Sequence, residues 1–223
     1  MSSLRRLLPA PVRVGLILIG FFAIATLAAC SRGNDAGEGG GFSFVDPSDC
    51  LPPITLLDQH GNHVSLADLK GKPALFDFIY TSCPGECLLL TQHMRRIAAA
   101  LGPELGQKVR LVSITVDPEH DQPEQLLRYA DNQDADLKGW LFLTGSAAQI
   151  DEVMQRFKLI RQHQADGTVD HVSEMFLVAP DGRAVLQYLG DKISIDHVVA
   201  DLNAAAAGKA VTTGEDTVRP VKF

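Results

Sequence analysis

An α/β fold is what this sequence predicts, and three consecutive stretches carry the prediction. Ala74 to Ile79 is a short, mostly apolar, aromatic-rich run of the kind that forms a central strand. Leu88 to Leu101 is rich in strong helix formers and is stopped by Gly102-Pro103. Val109 to Val116 is a β-branched run, so a second strand follows the helix, and that order is the parallel crossover unit. Between the first strand and the helix lies Tyr80-Thr81-Ser82-Cys83-Pro84-Gly85-Glu86-Cys87, which puts two thiols at the turn.

The other elements fall in order around this unit. Ile54 to Leu57 and His63 to Leu66 flank a Gly61-containing turn and predict a hairpin. Pro123 opens a helix through Tyr129, and Trp140 to Gly145 reads as a strand. From Ala147 to Phe157, apolar residues at Ile150, Val153, Met154 and Phe157 repeat at the spacing of one buried helical face, which makes Met154 core. Val172 to Ala179 and Ala184 to Leu189 are strands joined by the tight turn Pro180-Asp181-Gly182, and Ser194 to Ala206 is a closing amphipathic helix. A hairpin, a crossover with cysteine at its helix start, then an antiparallel hairpin and a helix is the thioredoxin-like plan: a central mixed sheet flanked by helices, over residues 51–206. Residues 207–223 are polar and read as a disordered tail.

The start of the chain has a different character. Arg5, Arg6 and Arg13 precede a charge-free run from Val14 to Leu27 and the small residues Ala28-Ala29. That is the pattern of a secretory signal over residues 1–29. Leu27-Ala28-Ala29-Cys30 resembles the bacterial lipobox, whose cysteine is lipidated and becomes the mature N-terminus. Residues 30–50, Gly-rich and polar at first, read as a flexible tether. The expectation is a protein of the bacterial cell envelope, lipid-anchored and facing the periplasm or extracytoplasmic space, an oxidising compartment. Without the signal, 17 Lys and Arg stand against 27 Asp and Glu, a net of −10, which argues against a nucleic-acid partner.

If the helix begins near Pro84, Cys83 lies at its cap and Cys87 one turn later on the same face. Side chains four apart stand ~5–6 Å apart at Cβ, so the sulfurs could share a metal ion or bond to each other. The helix N-terminus favours the thiolate that both uses require. Cys50 is left over as the odd thiol of an exported chain and is read as a bystander, with a third redox or metal cysteine as the alternative.

Cys83-Pro84-Gly85-Glu86-Cys87 preceded by Phe78-Ile79-Tyr80-Thr81, then Val116-Asp117-Pro118-Glu119-His120-Asp121-Gln122-Pro123, then Asp170-His171 and Asp181-Gly182, together resemble the Sco/SenC family of copper-binding proteins. The likeness covers roughly Pro52 to Leu202. It implies a membrane-anchored thioredoxin fold that binds copper through Cys83, Cys87 and His171 and helps assemble the binuclear copper centre of cytochrome c oxidase. The implied partners are the copper-bearing oxidase subunit or another copper chaperone, with a thiol reductant to reset the cysteines. Many relatives carry proline after the second cysteine, where this chain has Leu88; proline is not a ligand.

Two thiolates and an imidazole form a donor set that suits Cu(I) and also holds Cu(II). Asp170, next to His171, is a candidate second-shell acceptor for the imidazole. His60, His63, His93, His120, His163 and His197 are read as surface residues. Two functions from different classes follow: a copper metallochaperone, or a thiol–disulfide oxidoreductase in which Cys83 and Cys87 are the redox pair that reduces the cysteines of a copper-accepting partner. Structural zinc normally takes four protein ligands, and three are in hand. A thiol peroxidase is a further class that peroxide turnover would reveal.

Overall fold

The computed structural model describes residues 50–83, 85–166, 168–170, 173–189 and 193–211, together with the backbone of 218–220; the side chains of Glu86 and Cys87 are not described. The predicted signal, Cys30 and nearly all of the tether lie outside these residues, as do Pro84 and His171. Among the described residues no helix is long and apolar enough to cross a membrane.

The first two strands, β1 (Thr55–Asp58) and β2 (His63–Ser65), form the predicted hairpin. The centre of the sheet is β3 (Ala74–Ile79), fully buried and bounded as the sequence predicts. Helix α1 (Glu86–Leu101) crosses from it to β4 (Arg110–Thr115), and the two strands run parallel in register from Ala74 opposite Arg110 to Ile79 opposite Thr115. Helix α2 (Pro123–Asn132) then leads to β5 (Trp140–Thr144), parallel to β4. Helix α3 (Ala147–Arg156) starts at a capping box between Ser146 and Gln149, and its buried Ile150, Val153 and Met154 confirm the face read from the sequence.

After α3 come two short strands, β6 (Gln162–His163) and β7 (Val169–Asp170), which pair as a separate two-stranded hairpin. The sequence reading missed them, because two residues are too few to show alternation. Then β8 (Glu174–Val178) and β9 (Ala184–Leu189) follow, and α4 (Ile195–Ala206) is capped by the Ser194 hydroxyl. Within the segment read as a tail, Val218–Pro220 forms β10 on the edge of β9. Backbone pairing at an open edge needs no apolar period, and proline is tolerated there. The strand order is β10-β9-β8-β3-β4-β5-β1-β2, a mixed sheet of eight strands.

Alternation along β3 sorts the two faces of the sheet. Phe76 and Phe78 meet the ring of Phe157, just past α3, at 5.4 and 5.2 Å. Leu75 and Asp77 therefore point to the opposite face. On that face Met175 pairs with both Asp77 and Tyr188, and Tyr188 donates to Asp201 of α4 at 2.9 Å; α1 packs beside α4. Helix α1 is held there by Leu90, Met94, Ile97, Ala98 and Leu101, and each large apolar side chain so buried contributes about 1.5–3 kcal/mol.

Asp77 is a carboxyl group in the middle of this apolar wall. It is fully buried, and neither of its oxygens has a hydrogen-bond partner. Opposite it on β4, Ser113 already accepts a hydrogen bond from the Trp140 indole at 3.0 Å. Burial, only partly offset by the Ser113 hydroxyl, pushes the Asp77 pKa up to about 7. Because the folded value lies above the unfolded one, ionisation opposes folding increasingly as pH rises from about 4 to about 7, and the cost is fully present above that. Thermal unfolding of Asp77→Asn should therefore show a raised Tm at pH 8, for a relief of up to ~4 kcal/mol, and almost no gain near pH 4. A Tm gain of equal size at both pH values would mean that the side chain acts by shape and not by charge.

Candidate metal centre

The cysteine loop begins where β3 runs out. The Val116 amide donates to the Ile79 carbonyl at 2.7 Å, carrying the ladder one residue past β4. The chain then turns, with the Cys83 amide donating to the Tyr80 carbonyl at 3.2 Å. Cys83 is half-buried, packs against the core and is not in a disulfide.

One expectation about the loop is corrected. The helix starts at Glu86, not near Pro84, with Gly85 as its N-cap (φ −160°, ψ −78°). Cys83 thus precedes the cap while Cys87 lies in the first turn, so the two are not stacked on one helical face. Gly85 supplies no capping side chain, and the first amides of α1 open toward the cysteine loop, where they favour thiolate.

Behind the cysteines the loop is pinned by Asp121. This carboxylate, 1% exposed, accepts from the Thr81 amide (3.0 Å), the Thr81 hydroxyl (2.5 Å) and the Thr115 hydroxyl (2.6 Å). Burial raises its pKa more than those three donors lower it. The same Thr115 oxygen accepts from the Asp117 amide at 3.0 Å, and the Asp121 amide closes the turn onto the Asp117 carbonyl at 2.9 Å. Residues 116–121 are therefore one braced loop, bonded on one side to the end of β3 and the start of the cysteine turn.

On its other side this loop meets the β6–β7 hairpin through Arg161. The guanidinium donates to the Val116 carbonyl (2.8 Å), to Asp151 (2.8 Å) and to Glu119 (3.2 Å), and stands 3.3 Å from Nε2 of His163. Asp117, Glu119 and His163 hold ligand atoms within 4.8 Å of one another, a spacing that a cation could use. Those atoms already have work: His120 bonds to Asp117 at 2.9 Å, which raises the histidine's pKa, and Arg161 takes Glu119 and His163. The cluster is accounted for by a resident guanidinium and imidazole.

The model of the family described as SCO1/SenC matches residues 45–207. The chain belongs to the SCO1/SenC family. It is 36% identical over 175 residues to the "SCO1 protein homolog" of Bacillus subtilis (strain 168), covering 76% of this chain and 90% of that one. It is 30% identical over 139 residues to "Protein sco1" of Schizosaccharomyces pombe, covering 59% of this chain and about half, 52%, of the fungal protein. Among solved structures it is similar to Bradyrhizobium japonicum ScoI with copper bound (31% identity, TM-score 0.62, 70% of this chain and 99% of that one). It is likewise similar to BsSco, a member of the Sco family of cytochrome c oxidase assembly proteins in which a disulfide switch was identified (36% identity, TM-score 0.64, 72% and 95%). The thioredoxin-like architecture predicted from element order is the fold of this family.

Of the residues singled out in the sequence, this SCO1/SenC domain shows some and not others. Cys83 stands at the loop tip, while the Cys87 side chain and His171 lie outside the described residues. Asp170, the residue before His171, ends β7, is exposed and accepts a hydrogen bond from the Gln164 side-chain amide. Cys50 is disulfide-bonded and so is not the odd thiol that counting left over; the sulfur it meets lies outside the described side chains. It sits beside Arg183, next to the turn at the start of β3, one strand length of roughly 20 Å from the Cys83 end, and so takes no part in the centre. His93 also departs from expectation: it is 7% exposed on the packed face of α1, not on the surface. His60, His63, His120 and His163 are exposed as predicted, and His197 is half-buried, 3.3 Å from Asp201.

Asp121 and Arg161 were not singled out by their chemistry. Asp121 falls inside the Asp-Pro block, but its partner Thr81 is 40 residues away, and nothing in the local pattern announces a contact at that range. Removing the carboxylate strands one buried amide and two hydroxyls. Asp121→Ala should cost about 2–4 kcal/mol in chemical denaturation and speed hydrogen exchange at the Thr81 amide. An unchanged Thr81 exchange rate would show that the loop is held by something else.

Proposed function

We propose that this protein is an exported copper metallochaperone that binds Cu(I) or Cu(II) through Cys83, Cys87 and His171 and passes it on for assembly of cytochrome c oxidase. The observation that carries the reading is a half-buried Cys83, packed against the core on a loop that is braced by Asp121 and coupled through residues 116–121 to the hairpin that leads into His171. Two thiolates and one imidazole are a soft, three-coordinate set that accepts Cu(I) without an oxygen cage and holds Cu(II) when the imidazole is engaged. Copper is cargo: it leaves by exchange of these ligands for those of an acceptor, either the copper-bearing oxidase subunit or another copper chaperone. Both thiols must be reduced to bind, so a thiol reductant belongs to the cycle. Copper-bound ScoI and the disulfide switch of BsSco, both from similar proteins, support this choice over other thioredoxin-like chemistry.

Titration of the reduced soluble domain with Cu(I) and Cu(II) tests the site. Wild type should bind one equivalent of each, Cys83→Ser/Cys87→Ser should bind neither tightly, and His171→Ala should lose tight Cu(II) binding while keeping Cu(I). Absence of copper binding above the double-serine control, combined with turnover of protein disulfides, would make the chain a thiol–disulfide oxidoreductase instead.

The same proposal places the domain on a membrane, facing the periplasm or extracytoplasmic space, through a lipid on Cys30 and a tether to residue 50. The supporting pattern is the basic, apolar and small-residue succession ending at Leu27-Ala28-Ala29-Cys30. A diacylglycerol thioether leaves that sulfur no disulfide to make. Intact mass and peptide mapping of membrane-extracted protein should find an acylated N-terminal Cys30, and Cys30→Ser should release the domain to the soluble fraction. Recovery of Cys30 in a disulfide-linked peptide with Cys50 overturns the anchor.

A further inference from the structure

Arg161 stands on the connection between α3 and β6, with a side chain that is only 8% exposed although it carries a full charge. Burial opposes that charge, yet hydrogen bonds to Asp151 and Glu119 hold the guanidinium pKa above its ordinary value. Its contacts reach three separate pieces of chain. One is the braced loop, through Glu119 and through the Val116 carbonyl, whose own residue is bonded to the last residue of β3; the others are Asp151 in α3 and His163 in β6.

The hairpin on which His163 sits is short. Among the described residues it has two residue pairs, Gln162 with Asp170 and His163 with Val169, the bond from the Gln164 amide to the Thr168 carbonyl, the Gln164 side-chain amide on Asp170, and the Thr168 amide and hydroxyl on Asp166. Val169 is its buried apolar contact, while Gln162, His163 and Asp170 are exposed. A two-stranded hairpin of this length is marginal without further support. His171 follows β7 directly in sequence.

We infer that Arg161 is a positioning residue: its fork clamps the β6–β7 hairpin to the Val116–Glu119 loop and thereby sets where the chain enters His171 relative to the cysteine turn. This rests on the proposed copper site for its functional consequence, but the clamp itself has a readout that needs no copper. The fork matters because the guanidinium donates from two nitrogens held in one plane, Nε to Asp151 and a terminal nitrogen to the Val116 carbonyl and Glu119, whereas an ammonium donates from a single nitrogen and does not span those positions. Exposed ion pairs contribute little, and the Asp151 and Glu119 carboxylates are half exposed; what sets this arrangement apart is the shielded guanidinium and its bond to the Val116 main chain.

The experiment uses Arg161→Gln and, in case loss of the charge impairs folding, Arg161→Lys, which keeps the stem and the charge but not the fork. Hydrogen exchange in the copper-free reduced protein should speed about tenfold or more at the Gln164 amide in both variants, with the β3 and β4 amides unchanged. Cu(II) affinity should fall about tenfold in the wild-type background and not at all in His171→Ala. Unchanged exchange at Gln164 overturns the clamp, and an equal loss of Cu(II) affinity with and without His171 overturns its link to that residue. If wild type binds no copper above the double-serine control, the copper reading fails on its own, and the exchange result still decides whether the clamp exists.

Discussion

The carboxylate of Asp121 is the constraint on which the geometry of this centre depends. A buried carboxylate with no cation beside it is tolerated only when donors surround it, and here the donors are an amide and a hydroxyl from Thr81 and a hydroxyl from Thr115. One of them lies two residues before Cys83, and the other is the last residue of the neighbouring strand. Satisfying that one charge therefore fixes the beginning of the cysteine turn to the end of β4. The link is charge-assisted and buried, so it holds the start of a loop whose Cys83 is only half-buried.

Asp77 shows the contrasting solution to a buried acid. It lies six residues before Cys83, in the strand that feeds the site, with no donors at its oxygens. At Asp121 three donors oppose the effect of burial, although burial still prevails; at Asp77, beside Leu75 and Met175, the Ser113 hydroxyl offsets burial only in part and the pKa is pushed up to about 7. A neutral carboxyl costs the sheet little, and an ionised one costs it much. Burial raises the pKa of both aspartates, so the central strand and the braced loop each respond to pH.

Most of the fold is legible in the sequence because it is written in local pattern. Strand β3 is a six-residue apolar run, α3 carries its apolar residues at helical spacing behind a Ser146–Gln149 cap, and the β8–β9 turn has Gly182 at φ +91°, a conformation that glycine adopts without strain. What escaped is non-local. The Thr81–Asp121 and Arg161–Val116 contacts join residues some 40 apart, β10 exists only because β9 has an edge to fill, and β6–β7 is too short to repeat anything. The start of α1 was misjudged for a related reason: proline suits a first helical turn, but the cap falls on Gly85. The cysteine pair stands out in the sequence because Cys83 and Cys87 fall where a strand hands over to a helix.

The position of the cap changes what the two cysteines can do. Two thiolates on one ion stand about 4 Å apart, twice the separation in a disulfide, so a pair that serves both states must change spacing by ~2 Å. Stacked on one helical face, Cys83 and Cys87 would have only their side-chain rotations to do so, because the buried face of Leu90, Met94, Ile97, Ala98 and Leu101 resists bending of α1. With Cys83 ahead of the cap and Cys87 behind it, the adjustment falls on the short connection through Gly85, which stands in open space with nothing within 4 Å of where a Cβ would be. Upstream, Asp121 holds Thr81 still. In the proposed site, then, the adjustment would fall between a held turn and a packed helix, and the sulfurs of Cys83 and Cys87 would close on each other or open around a metal without disturbing the sheet beneath them.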